Sequence, residues 1–180
     1  MRILAISGSL RADSSNTAAL QAAAWLAPPG LEIILYDGLS GLPHFNPDLD
    51  GEDALAPVAD WRAQLRAADG VLISSPEYAH GVPGSLKNAL DWVVGTGEFA
   101  GKPVALINTS PRAFHAQASL RETLTTMSAQ VAADACVEVP LLGKKPDVSG
   151  ILANEEIAGV IRSGLVQFAA AIAKEEAWHA

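Results

Sequence analysis

The sequence predicts an α/β fold, a five-stranded parallel sheet with helices on both faces. Three observations lead there. Short apolar runs alternate with helical patterns five times along the 180 residues. Hydrophobic residues make up 49% of the chain, enough for a core shielded on two sides. The loops after the first and third apolar runs are dense in serine, glycine and proline, residues of tight turns and close backbone approach.

Taken in order, Arg2 to Ile6 reads as the first strand. Ser7 to Asn16 is a hydroxyl-rich loop, and Thr17 to Leu26 an alanine-rich helix stopped by Pro28-Pro29-Gly30. Leu31 to Tyr36 is the second strand, and Asp37 to Gly51 a long surface loop. Asp53 to Ala67 carries helical spacing through Leu55, Val58, Ala59, Arg62 and Leu65. Gly70 to Ser74 is the third strand. Leu86 to Val94, opened by Pro83-Gly84, is the third helix. Val104 to Ile107 is the fourth strand, Asn108 to Ala116 a loop and Ala118 to Gln130 a helix. Ala135 to Val139 is the fifth strand. A loop through Pro146 and Gly150 leads to a last helix, Asn154 to Lys174.

Right-handed crossovers leave few topologies for this alternation. The natural one is flavodoxin-like, a three-layer sandwich with strand order 2-1-3-4-5 in a single domain spanning residues 1–180. Ligands of such sheets sit at the carboxyl ends of the strands where strand order reverses. That order places the loops after strands one and three side by side.

A net charge of -8 argues against nucleic acid as a partner. No apolar run approaches membrane-spanning length, and the first residues enter a strand without a cleavage site. The expected setting is therefore cytoplasmic, away from membranes. The single cysteine, Cys136, permits no intramolecular disulfide and reads as a packed, inert thiol. His44, His115 and His179 show no metal-ligand spacing, and no metal is expected.

The first loop offers an anion nest. A helix N-terminus carries free N–H groups and partial positive charge. Ser9, Ser15 and Thr17 add hydroxyl donors, Asn16 an amide, and Arg11 a fixed charge with a fork of donors. It is neither a P-loop nor a dinucleotide fingerprint, because the required glycines and lysine are absent. An ordinary strand–helix turn with Ser15 or Asn16 as N-cap fits the same residues, and Asp13 opposes an anion.

The loop after strand three, Ser74-Ser75-Pro76-Glu77-Tyr78-Ala79-His80-Gly81-Val82-Pro83-Gly84, suits a flat ring. Pro76 restricts the backbone, Gly81 allows close approach, and Tyr78 or His80 can lie beside a ring. Each also has a plainer reading. Glu77 can be salt-bridged or lie at a subunit contact, Tyr78 can pack, and His80 can be merely exposed. Lys87 and Asp91 have the spacing of a helix-surface pair, and Trp92 fits helix packing better than ligand contact.

Together, Gly8-Ser9-Leu10-Arg11 with Ser15-Asn16, and Pro76-Glu77-Tyr78 with Pro83-Gly84-Ser85-Leu86-Lys87-Asn88-Ala89-Leu90-Asp91-Trp92, resemble the signatures of the NADPH-dependent FMN reductase family. Those flavodoxin-like flavoproteins include quinone, chromate and azo-dye reductases. The resemblance implies that Ser9, Arg11, Ser15, Asn16 and Thr17 wrap the FMN phosphate. It implies that Pro76, Glu77, Tyr78, His80 and Gly81 line the isoalloxazine, joined by Ser110 after strand four. Pro111 and Arg112 stand where many relatives have glycine, and His80 where asparagine is common. A homodimer or homotetramer is implied as well.

The implied activity is hydride transfer from NADPH or NADH to bound FMN, then to a small-molecule electron acceptor by a ping-pong mechanism. The acceptor would be a quinone, flavin, azo dye or metal oxyanion. No side chain need act as an acid or base, because the flavin carries the chemistry. A flavodoxin-type electron carrier and a non-enzymatic binding module on the same fold are the alternatives.

Overall fold

The computed structural model describes residues 1–51, 55–141 and 147–179. Five successive strand positions form one parallel sheet. They are β1 (Arg2–Ser7), β2 (Glu32–Tyr36), β3 (Gly70–Ser74), β4 (Pro103–Asn108) and a divided edge made of β5 (Gln130–Val131) and β6 (Val137–Glu138). The order is β2-β1-β3-β4-β5, with β6 also on β4. In register, Ile3 lies opposite both Ile33 and Gly70, and Val71 lies opposite Val104. The flavodoxin-like order expected from the alternation is therefore present.

Side chains of the central strands alternate between two cores, as a period of two requires. Leu4, Ile6, Val71, Ile73, Val104 and Leu106 face α2 (Ala56–Arg66), α3 (Gly84–Asp91) and α4 (Phe114–Thr126). Ile3, Ala5, Leu72, Ala105 and Ile107 face α1 (Ser15–Leu26), α5 (Val148–Ala153) and α6 (Glu155–His179). In the second layer α1 packs small side chains, Ala18, Ala19, Ala22 and Ala23. The first layer is filled by Trp61 and Trp92, both fully buried. Trp61 Nε1 donates to the Ala89 carbonyl at 2.9 Å, satisfying the one polar atom its burial would strand.

The fifth strand departs from the continuous Ala135–Val139 run. Ser128, with φ 61°, ends α4 early, and Gln130–Val131 pairs with Pro103 and Val104. A single 3-10 turn at Ala133–Ala135 then interrupts pairing, which resumes at Val137 opposite Ile107. Alanine and aspartate are poor strand formers, so the Ala132–Ala135 segment turns instead. Gly164 of α6 accommodates the resulting bulge, since a Cβ there would stand 2.7 Å from Val137 Cγ1.

Two more boundaries moved. The expected loop before the last helix contains α5, capped by the Asp147 carboxylate accepting from Gly150 N at 2.8 Å. Helix α3 starts at Gly84, two residues before the expected Leu86, and stops at Asp91, three residues before the expected Val94. The expected helix start at Asp53 and the turn at Pro146 lie outside the described residues.

Contrary to the expectation that no apolar run approaches membrane-spanning length, Glu155–Glu175 of α6 is long and apolar enough to cross a membrane by length and composition. Its apolar residues form a stripe, Ala158, Ile161, Leu165, Phe168 and Ile172, buried against the sheet.

The long Asp37–Gly51 connection is fastened rather than free. Asn88 of α3 accepts from Phe45 N at 2.7 Å and donates to the Pro43 carbonyl at 2.9 Å. Trp92 Nε1 donates to the same carbonyl at 2.8 Å, and Phe45 packs edge-on against the Trp92 ring. Buried Arg62 ties Asp50 to the Trp92 carbonyl at 2.6 Å each. Trp92 thus packs, as its helical position suggests, and Lys87 pairs with Asp91 at 2.5 Å on the helix surface.

Candidate functional site

The carboxyl ends of β1, β3 and β4 converge where strand order reverses. Gly8 N donates to the Ser74 carbonyl at 2.9 Å, which carries the β1–β3 ladder into the loops. The approach is close enough to exclude a side chain. A Cβ on Gly8 would stand 2.5 Å from Ser75 Oγ and 2.9 Å from Ser75 Cβ.

Asn16 joins all three strand ends. Its Oδ1 lies 2.9 Å from the Ser74 hydroxyl and accepts from the Thr109 hydroxyl at 3.1 Å. The Ser74 hydroxyl also lies 2.8 Å from the Ile107 carbonyl. All three side chains are buried, so each of these contacts replaces water. Asn16 thereby turns its carbonyl oxygen inward, leaving its amide nitrogen as the group able to meet an anion. Ser74 and Thr109 escape a reading by residue type. A serine closing the apolar run Val71-Leu72-Ile73 was the available signal.

In the loop after β1, Ser14 is the N-cap of α1, where Ser15 or Asn16 was expected. Its Oγ accepts from Thr17 N at 3.3 Å. Serine is a strong N-cap, and the extended backbone at Ser14 (φ -99°) suits that position. Among the described residues, no acceptor meets the backbone N–H groups of Ala12, Asp13, Ser15 or Asn16. Thr17 Oγ1 pairs with Ser7 Oγ at 2.8 Å, and Ser9 Oγ accepts from Arg11 N at 3.4 Å. Arg11 is exposed, and no carboxylate among the described residues pairs with it. Beside this loop runs a cleft of about 300 Å³ lined by Ala12, Ser14, Ser15, Thr17 and Asp147. The Asp147 carboxyl is held below its ordinary pKa by the Gly150 N–H and then the Ser149 hydroxyl.

The loop after β3 is a backbone device. Tyr78 N donates to the Gly81 carbonyl at 3.1 Å, and Gly81 N to the Tyr78 carbonyl at 3.0 Å. Ala79 and His80 between them have φ 49° and 60°. Left-handed conformation at two successive residues is that of a type I′ turn, strained for alanine and better tolerated by histidine or asparagine. The His80 position therefore selects residues by backbone conformation.

Two contacts brace the strained turn against α4. Glu77 Oε2 accepts from Ala116 N at 2.8 Å, capping a helix whose own N-cap, Ala113, has no side-chain acceptor. The His80 ring stacks on His115 with centroids 4.2 Å apart, and Phe114 lies against His115 at the same separation. Tyr78 and Phe114 remain 51% and 63% exposed, presenting aromatic surface at this edge. Pro76 and Gly81 are half-buried beside them.

After β4, Asn108 Oδ1 accepts from Ser110 N at 3.1 Å, and Ser110 Oγ accepts from Arg112 N at 3.3 Å. These local turns expose Pro111 and Arg112 at the apex. The structure thus brings Ser9, Arg11, Ser15, Asn16 and Thr17 to one end of the edge. It brings Pro76, Glu77, Tyr78, His80, Gly81 and Ser110 to the neighbouring part. Among the described residues no group of three or more histidine, cysteine, aspartate and glutamate side chains is placed to hold a metal.

The model of the NADPH-dependent FMN reductase family matches residues 1–141. An NAD(P)H-dependent FMN reductase of Pseudomonas aeruginosa is 45% identical over 129 residues, 69% of each chain. A quinone reductase of Escherichia coli is 35% identical over 138 residues, 73% of each chain. Among solved structures, FerB, a flavoenzyme NAD(P)H:(acceptor) oxidoreductase of Paracoccus denitrificans, superposes with a TM-score of 0.79 at 30% identity. That match covers 97% of this chain and 98% of FerB.

Proposed function

Because this chain belongs to the NADPH-dependent FMN reductase family of oxidoreductases, we propose that it takes a nicotinamide reductant and a small-molecule electron acceptor in turn, in a ping-pong cycle at bound FMN. The single observation that carries this reading is the pairing at the strand-order reversal. An open nest of N–H groups with an uncompensated arginine adjoins a braced, aromatic-rimmed turn.

The residues fit FMN. A phosphate needs donors and positive charge, and the nest supplies both without protein acceptors to displace. The Ser9, Ser15 and Thr17 hydroxyls, the Asn16 amide and Arg11 would hold it. A flat ring system needs a fixed wall with backbone donors, and the Pro76–Gly81 segment with Ser110 would form it. When bound, FMN supplies the hydride chemistry.

The remaining work belongs to the chain. Glu77 and His80 hold the type I′ turn against α4, which sets the distance between ring wall and opposing loop. Asn16 fixes the spacing of the three strand ends, so phosphate and ring sites keep one separation. Tyr78 and Phe114 offer flat apolar surface to planar reactants. No imidazole or carboxylate is required as an obligatory acid or base. The acceptor class follows the relatives, among them a 2-hydroxy-1,4-benzoquinone reductase from a Burkholderia species, 41% identical over 113 residues. A quinone is the acceptor the exposed aromatic rim fits best, and a homodimer or homotetramer is the expected assembly.

The test is an anaerobic titration of the FMN-loaded protein with NADPH and NADH, followed by 1,4-benzoquinone. Bleaching of the flavin bands by nicotinamide, and their return with the quinone, is the expected result. Flavin bands that neither nucleotide bleaches would leave an electron carrier as the better reading.

A further inference from the structure

A second cleft, of about 390 Å³, lies beyond the β4–α4 loop, between α4 and the divided edge strand. Pro111 and Phe114 form one wall. Asn108, Arg121, Cys136 and Glu138 contribute polar groups. Its size is that of a small-molecule site.

The arginines of this acidic chain give the cleft its meaning. Arg62, Arg66 and Arg162 pair with Asp50, Glu98 and Glu155, and Arg2 donates to Gln64. Arg11, Arg112 and Arg121 pair with no carboxylate among the described residues. Arg11 belongs to the loop after β1. Arg121 lines the cleft, and exposed Arg112 follows the lining residue Pro111 in the chain.

We propose that this cleft receives the adenosine half of the nicotinamide dinucleotide, with a 2′-phosphate held by Arg121 and Arg112. The proposal rests on the reductase reading and extends it to NADPH over NADH. A guanidinium fork matches a phosphate dianion and is the usual partner of a ribose 2′-phosphate. Pro111 and exposed Phe114 supply a flat apolar face for the purine. The Asn108 and Gln117 amides match donors and acceptors on the purine edge, and Glu138 accepts from a ribose hydroxyl or the purine amine. The topology agrees. The nest after β1 lies on one side of the ring wall and this cleft on the other, across β4. A dinucleotide whose nicotinamide reaches the ring wall can extend its adenosine over Pro111 without crossing the phosphate nest.

Cys136 provides a probe, because it lines the cleft, is half-buried and is the chain's single cysteine. The experiment follows the rate of Cys136 labelling by a maleimide in the FMN-loaded protein, with 2′,5′-ADP or 5′-AMP added. The proposal expects 2′,5′-ADP to protect at concentrations about tenfold lower than 5′-AMP. Arg121→Gln should abolish that preference, and calorimetry on the same two proteins should show the same loss of 2′,5′-ADP affinity. Equal affinity of wild type and Arg121→Gln for 2′,5′-ADP overturns it. So does unprotected labelling in a protein whose flavin NADPH still bleaches, and that outcome leaves the reductase reading intact.

Discussion

In the loop after β1, the N–H groups of Ala12, Asp13, Ser15 and Asn16 have no acceptor among the described residues. In the loop after β3, the backbone of Tyr78 and Gly81, the Glu77 carboxylate and the His80 ring are all engaged by neighbours. The two loops lie side by side at one sheet edge and solve opposite problems. A phosphate site works by leaving donors unmet, so its strength resides in the ligand contact. A ring wall works by being fixed before the ligand arrives, so its strength resides in contacts within the protein. Changes in the first loop should therefore alter binding and spare stability, while changes in the second should alter stability first.

Arg11→Ala should give the largest separation of the two effects. Losing charge-assisted hydrogen bonds should weaken FMN binding by about 1.5–3 kcal/mol. Thermal stability without FMN should not move, because Arg11 is exposed and unpaired. A lowered melting temperature with an unchanged dissociation constant would reverse the roles assigned to the loops.

Asn16→Ala tests the element shared by both. Removing Oδ1 leaves the buried hydroxyls of Ser74 and Thr109 without that acceptor, a loss of about 1–3 kcal/mol in stability. FMN affinity should fall as well, because the strand ends lose their common tie. Urea unfolding and FMN fluorescence titration on one preparation would show whether both changes occur together.

Ala79→Gly addresses the strained turn alone. Relief of a left-handed alanine is worth about 1–2 kcal/mol, and glycine's extra freedom in the unfolded chain offsets about 0.5–1 of it. A small net stabilisation is expected. A clear destabilisation would mean that the turn is not held in the left-handed region.

The smallest effect concerns Asp147, beside the first loop. Its pKa is depressed, so its contribution to stability is present above the ordinary carboxylate range and is lost as pH falls through the depressed value. Carbon NMR of the carboxyl should show a titration midpoint below the ordinary aspartate value. A higher midpoint for Asp147 would remove the N-cap assignment at α5.

The sheet order was legible because alternation of strand and helix, with right-handed crossovers, leaves little choice. The first loop was legible by residue type, since hydroxyls and an arginine ahead of a helix are chemical statements in themselves. The ring wall was less so. Its central feature is backbone conformation at Ala79 and His80, and alanine carries no signal for a left-handed turn. The Glu77 contact with Ala116 joins residues far apart in sequence and depends on α4 lacking a cap of its own. Asn16 was named for its amide donors, while its carbonyl oxygen became the tie between strands. The divided fifth strand was masked by apolar Val137 and Val139, which read as a continuous strand when Ala132 to Ala135 is overlooked.

The measurement closest to the central claim compares FMN with riboflavin, the same ring system without the phosphate, in wild type and Arg11→Ala. If the loop after β1 holds the phosphate, FMN should bind wild type at least about tenfold tighter than riboflavin, and Arg11→Ala should remove most of that difference while leaving riboflavin affinity unchanged. Equal affinities for FMN and riboflavin in wild type would contradict the account.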